Sequence, residues 1–297
     1  MISFIVPIMS AKQIYTSIFI LVLILLCGFD ILYFRNMNSP EVVFDKALQN
    51  SLHITSVLAT ETLGSTNKAL VNKLDYIYDF RDPQNSKVYS KFVSNTGFIS
   101  EQFGYNQNYS IRYESLGTAS EYVPLGTPPL HQWIQLKKNN VAVNDNLRNF
   151  QTGDPASTLL GYYIFGNFSI QDRQRLTEFA AKNKSYNYDR KKVSSTTVDG
   201  QGVYVYPISI ISATQTAYNL EAAHLLNISP KNAQDLMDEF HFGTFGIKFI
   251  DFKLYISKSS KRLIRIESHN FTDNTSNITD FKNYDTTEAL TVPTPSF

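Results

Sequence analysis

The chain has almost no thiol chemistry and almost no net charge. One cysteine, Cys27, stands among its 297 residues, and it falls inside an apolar run near the start. Everything after that run lacks a thiol. This excludes a disulfide framework, a cysteine nucleophile and a thiolate metal site from the polar part of the chain. The 27 Lys and Arg nearly balance the 26 Asp and Glu, leaving +1, so no bulk basic field points to nucleic acid. The five histidines (His53, His131, His224, His241 and His269) make no His-Glu-x-x-His pair or other ligand spacing. Glu239-Phe-His241 reads as a partly exposed helix end. There is no Gly-x-Ser-x-Gly elbow and no phosphate-binding glycine loop, and Gly243-Thr-Phe-Gly246 is a turn before a strand. No metal or cofactor is expected.

What the chain has in quantity is aromatic side chains, 21 Phe and 18 Tyr, which argues against disorder. The longest apolar run is Ile14–Phe34, interrupted by the single charge of Asp30. As a helix it spans about 31 Å, the thickness of a hydrocarbon core. Asp30 lies about one turn from its end, and Tyr15 and Tyr33 stand where interfacial aromatics collect. We read residues 14–34 as a transmembrane signal anchor behind a short segment, 1–13. A cleaved signal would need small residues after the run, and a lipoprotein signal would need one immediately before Cys27, where Leu26 stands. Lys12 against Arg35 barely orients the helix. A thiol-free domain rich in Tyr, Asn and Thr reads as exported, so the expected location is a cell membrane with the large C-terminal part extracytoplasmic.

The remaining ~260 residues suit one large domain or two small ones. Ser39-Pro40 caps a helix in which Val43, Phe44, Ala47, Leu48 and Leu52 recur at helical spacing. From Ser56 the period is two. Over 69–80, Leu70, Leu74, Tyr76, Tyr78 and Phe80 fall on one side; Lys73, Asp75 and Asp79 fall on the other, as on a half-buried antiparallel strand. Residues 81–86 form a turn and 87–94 the returning strand. Tyr105, Tyr109, Ile111 and Tyr113 alternate again, and 131–137 is a short strand. Residues 138–160 read as loop. Ser169 opens a helix to about Lys182, Gly202–Ile211 is a strand, and helices follow at 215–226 and 230–240. A hairpin joins 246–257 to 262–270 around Lys258-Ser-Ser-Lys261. A last strand covers about 275–284, before an extended tail, 286–297. The fold class is α+β.

Chemistry-bearing patterns are few. Ser65-Thr-Asn-Lys68 fits a Ser-x-x-Lys nucleophile but sits in a polar turn without its partner motifs. Asp75 and Asp79 alternate on a solvent face. Asn-x-Ser/Thr triplets at Asn108, Asn167, Asn183, Asn227, Asn270, Asn274 and Asn277 are compatible with glycosylation without demanding it.

The order of motifs resembles that of the LolA/LppX-like superfamily of bacterial exported lipid and lipoprotein carriers. The residues that carry the likeness are Phe44-Asp-Lys-Ala-Leu48, Gly202-Val-Tyr-Val-Tyr206, the hairpin Phe252–Ile266, Phe281-Lys-Asn-Tyr284 and Leu290-Thr-Val-Pro293. The resemblance implies a LolA-like domain over 39–285, in which a strongly bent antiparallel sheet, a half-barrel, packs on a few helices around an apolar cavity. By strand phase the candidate lining is Leu74, Tyr76, Tyr78, Phe92, Tyr204, Tyr206 and Ile208, which would equally serve as plain core. The implied activity is non-enzymatic binding of a lipid, lipoprotein or other apolar ligand at the cell envelope, with the membrane as a partner. The alternatives are an interaction module of an envelope complex and a membrane-anchored hydrolase. Because Leu26 precedes Cys27, labelling cells with a lipid precursor should leave the protein unlabelled; label that disappears in Cys27→Ala would make it a lipoprotein instead.

Overall fold

The computed structural model describes residues 37–63, 72–105, 108–118, 129–136, 163–226, 249–270 and 275–294, together with Val22. The anchor read at 14–34 apart from Val22, the Ser65–Lys68 motif, the 138–160 loop and the 230–240 helix lie outside them. Among the described residues no helix is long and apolar enough to cross a membrane.

Twelve strands form one antiparallel sheet. They are β1 (Ser56–Leu63), β2 (Asn72–Asp79), β3 (Lys87–Val93), β4 (Phe98–Tyr105), β5 (Asn108–Leu116), β6 (Ile134–Leu136), β7 (Asn187–Tyr188), β8 (Ser194–Val198), β9 (Gln201–Ile211), β10 (Phe249–Ser257), β11 (Leu263–Asn270) and β12 (Thr275–Lys282). Their order is β6-β5-β4-β3-β2-β1-β12-β11-β10-β9-β7, with β8 beside β9. The two ends do not meet, so the sheet is open. A twisted antiparallel sheet this wide curls over the side that carries its apolar residues, as a half-barrel does. The helices are α1 (Pro40–Ser51), α2 (Ile170–Asn183) and α3 (Ser212–Leu225).

Local chemistry explains the helices. Ser39 caps α1 by accepting from the Val42 amide at 3.4 Å, and Pro40 fills the first turn. Val43, Phe44, Ala47 and Leu48 then form its buried stripe. The sheet holds this helix by polar contacts too: Tyr206 donates to the Pro40 carbonyl at 2.7 Å and Tyr204 to that of Asn38 at 3.0 Å. Ser169 caps α2 by accepting from the Asp172 amide at 3.2 Å, and its own hydroxyl donates to the Asp172 carboxylate at 2.6 Å. Leu176 and Ala180 turn inward.

The core has two main parts joined by an extended segment that the sequence did not announce. Tyr163 and Phe165 belong to the cluster on the sheet; Ile164 and Phe168 belong to a second cluster with Leu52, Leu176, Tyr218 and Ala222 under α2 and α3. Alternate side chains thus face opposite layers. Backbone bonds tie the segment to the end of α1: Gly166 donates to the Ser51 carbonyl at 3.0 Å and accepts from Ile54 at 3.0 Å. A Cβ at Gly166 would stand 2.5 Å from the Phe168 ring, so only glycine fits.

Three expectations need correction. Tyr105 and Tyr109 do not share a strand face: β4 ends at Tyr105, β5 starts at Asn108, and the register puts Tyr105 opposite Lys87 on the outer side. The short strands β7 and β8 were not foreseen. Asp79, expected on a solvent face, is buried. It has the outward phase, but the segment after β12 crosses over it, and the Leu290 amide donates to its carboxylate at 2.9 Å.

That segment is a stitched strap. Asn283 and Asp285 adopt left-handed backbone (φ 53 and 62), which Asn and Asp tolerate. The Asp285 carboxylate accepts from the Thr55 amide at 2.7 Å and pairs with Arg262 at 2.6 Å. Burial works against its charge, but the Thr55 amide and the Arg262 guanidinium outweigh it and hold the carboxyl below the usual range. A depressed carboxyl contributes stability above its unfolded pKa, and loses it as pH falls through the folded one. Asp285→Asn should therefore lower Tm at pH 7 by about 2–4 °C, and the gap to the parent should close below about pH 4, as read by scanning calorimetry.

Candidate functional site

Directly paired residues across antiparallel strands share a face, so the register lays out what lines the hollow of the sheet. One row runs Tyr113–Ser100–Phe92–Leu74–Glu61 from β5 to β1. It continues through Thr279, Ile266, Leu254 and Tyr206 to β9. A second row is Ile111–Gln102–Ser90–Tyr76–Ala59–Phe281. A third sets Tyr78 beside Val57 and Val88, with Gly104 next.

All seven sequence-predicted lining residues lie on this inner face and in one cluster. Leu74, Tyr76, Phe92, Tyr206 and Ile208 are buried; Tyr78 and Tyr204 are half-buried against them. They fall into two groups. On β9 the Tyr206 ring packs 5.1 Å from Phe44 and 5.3 Å from Tyr188, so it is already engaged under α1. Tyr204 is bound by its hydroxyl to the residue before that helix and carries Lys258 over its ring at 4.4 Å. On β2 the rings stack along the strand, Tyr76 on Tyr78 at 5.7 Å and Tyr78 on Phe80 at 6.0 Å. Beyond them the face changes character. Ser90, Ser100 and Gly104 are small and buried, between Phe92 and Tyr76 on one side and Phe98, Ile111 and Tyr113 on the other. With half-buried Gln102 between Ser100 and Gly104, this stretch of β3 and β4 carries short and polar side chains between two apolar banks.

The charges lie on the opposite face. Asp75 accepts from Thr60 at 2.7 Å and pairs with Lys73 at 2.8 Å; Glu101 pairs with Arg112 at 2.6 Å and Lys91 at 3.4 Å. Arg112 lies 5.2 Å from the Trp133 ring, and Arg265 grips Asp280 in a fork at 2.6 and 3.1 Å. The exposed pairs add little each, and Glu101 is buried between its two cations; together they show how consistently the phase is kept.

Glu61 is the exception. Among the paired positions of the described strands it is the one Asp, Glu, Lys or Arg that the register assigns to the inner face. It stands on β1, in the middle of the sheet, half-buried between Leu74 and Thr279. Tyr76 donates its hydroxyl to Glu61 Oε2 at 3.3 Å. Burial pushes the Glu61 carboxyl above its ordinary range, with the Tyr76 bond pulling weakly the other way. The Tyr78 hydroxyl is pushed up as well, by burial first and then by the Glu61 charge. The Tyr113 hydroxyl rises to about 12 through burial. Sequence reasoning passed over Glu61, although a signal was there: in Val57-Leu-Ala-Thr-Glu61 a carboxylate takes the apolar phase.

A carboxyl with a raised folded pKa binds its proton more tightly in the native state, so stability falls as pH rises through the ordinary glutamate range toward the folded value. Replacing it by an amide removes that loss. Glu61→Gln should match the parent's Tm near pH 4 and exceed it by about 2–4 °C at pH 7, measured by calorimetry across pH.

No family model matches the sequence, and no curated protein does. Among solved structures the chain is similar to LprF from Mycobacterium bovis, at 14% identity and a TM-score of 0.43, over 86% of this chain and 96% of that one. It is also similar to a LolA superfamily protein, NE2245, from Nitrosomonas europaea (9% identity, TM-score 0.27, 85% and 95% covered). A third likeness is to a DUF1329 family protein from Desulfovibrio piger (10% identity, TM-score 0.29, 84% and 95% covered). In arrangement the chain resembles the LolA/LppX-like proteins, as its order of motifs implies.

Proposed function

We propose that this protein is a non-catalytic, membrane-tethered binder of a lipid, lipoprotein or other apolar ligand, held at the extracytoplasmic side of a cell envelope by residues 14–34. The observation that supports this reading most directly is the run of short side chains on the inner face of β3 and β4. A sheet whose inner face only had to pack would carry large side chains on β3 and β4, as it does on β2. Here Ser90, Ser100 and Gly104 stand around Gln102 on β3 and β4, beside Phe92 and Tyr113, and we read this run as the trough for a hydrocarbon chain along an aromatic wall. An acyl chain laid there buries about 0.8 kcal/mol of transfer free energy per methylene. The outer face, with its alternating ion pairs, suits water instead.

The reading is tested on the full chain extracted from membranes in a neutral detergent, by mass spectrometry of co-purifying lipid. About one apolar ligand per chain is expected. Ser100→Phe and Ser90→Leu, which fill the trough, should lower ligand occupancy about tenfold while near-UV circular dichroism shows the fold retained. Parent protein free of ligand that also takes up none from added lipid would refute the reading.

A further inference from the structure

Among the paired positions of the described strands the inner face carries one charge, and its sign and surroundings bear on the head group of a bound ligand. This step rests on the apolar-ligand reading and specifies it. Glu61 stands in the central row of the hollow, flanked on β2 by Leu74 and across β12 by Thr279. One step toward the strand ends, Asn277 and Ser268 face each other on β12 and β11, on the same face and half-buried. Directly opposed side chains in such a ladder are ~5 Å apart at Cβ, so Glu61, Thr279, Asn277 and Ser268 form one polar island in an apolar wall.

The island supplies mostly acceptors. The carboxylate offers oxygens, Thr279 and Ser268 offer hydroxyls, and Asn277 offers an amide. No Lys or Arg shares the face at the paired positions of the described strands. The Tyr76 hydroxyl engages Oε2 and orients the group without neutralising it. A half-buried carboxylate with no counter-charge among the described strands is costly, as the raised Glu61 carboxyl reflects. An anionic head group would add a like charge at close range, and a neutral one would leave the carboxylate unbalanced. An ammonium has three donors and the compensating sign, which fits a carboxylate ringed by hydroxyl and amide oxygens.

We propose that Glu61 is the head-group anchor of the site and that the ligand is an amphiphile bearing a cationic amine, with its chain in the apolar trough and its ammonium on Glu61, Thr279, Asn277 and Ser268. The occupant is thus an amine-headed lipid or lipid-linked amine, not a fatty acid or an acidic phospholipid.

The test uses the full chain in neutral-lipid nanodiscs carrying a pyrene-labelled neutral acyl probe, displaced by dodecylamine, dodecanol or dodecanoic acid. Their chains are equal, and comparing parent with variant cancels their partition into the disc. The parent should bind dodecylamine about tenfold more tightly than dodecanoic acid. Glu61→Gln should bring that ratio within about twofold, and Glu61→Asp should restore part of it. If the parent binds the probe but the amine-to-acid ratio is near one, or if the ratio survives in Glu61→Gln, the head-group assignment is wrong while the apolar-ligand reading stands. An equal loss for all three ligands in Glu61→Gln would also overturn it, since that marks a purely structural residue. A parent that never binds the probe removes the apolar-ligand reading and the anchor with it.

Discussion

Everything in this domain depends on the alternation of side chains staying in phase across strands from distant parts of the chain. A slip of one residue between any two neighbours would exchange the faces. Asp75, Lys91, Glu101 and Arg112 would then enter the hollow, and Leu74, Phe92 and Ile111 would leave it. The register from β5 through β1 to β9 is therefore under strong energetic selection, because each exchanged pair would bury unpaired charge while exposing an aromatic ring. The polar bonds from Tyr204 and Tyr206 to the start of α1 act on the same constraint from above. They fix one helix over β9 and β10, and the helix in turn buries Phe44 against the inner face.

Much of this was legible. The caps at Ser39 and Ser169 and the apolar spacing behind them marked α1 and α2, and the Lys258–Lys261 turn marked the β10–β11 hairpin. Period-two alternation placed all seven candidate residues on one face. What it did not show was the division among them. Tyr206 is engaged by α1, a contact made across a sequence separation of 166 residues, which no local pattern carries. Asp79 misled for a similar reason: its phase was right, but its burial comes from a strap bonded to it 211 residues away.

Other losses had local causes. Tyrosines in step on either side of a tight connection imitated a continuous strand, so β4 and β5 merged. The strands β7 and β8 are short and mostly polar, and β-propensity says little about them until β9 is there to pair with. The segment 163–168 lacks any single-face pattern because both of its faces are buried, one against the sheet cluster and one against the helices. Glu61 was overlooked by residue type. A carboxylate is presumed to face water, and only the register of three strands reveals that it does not.

The ladder is irregular at two places, between Ile99 and Ser100 where β4 meets β5, and between Tyr255 and Ile256 where β10 meets β11. In each an extra residue on one strand raises the local twist. These bulges stand well apart in the strand order and divide the sheet into panels. The strands between them carry Glu61 and the stacked Tyr76 and Tyr78 in unbroken register. Each bulge also switches the alternation of one strand, so Leu263 follows Ile266 and Leu116 follows Tyr113 onto the inner face, three residues apart where two would be regular.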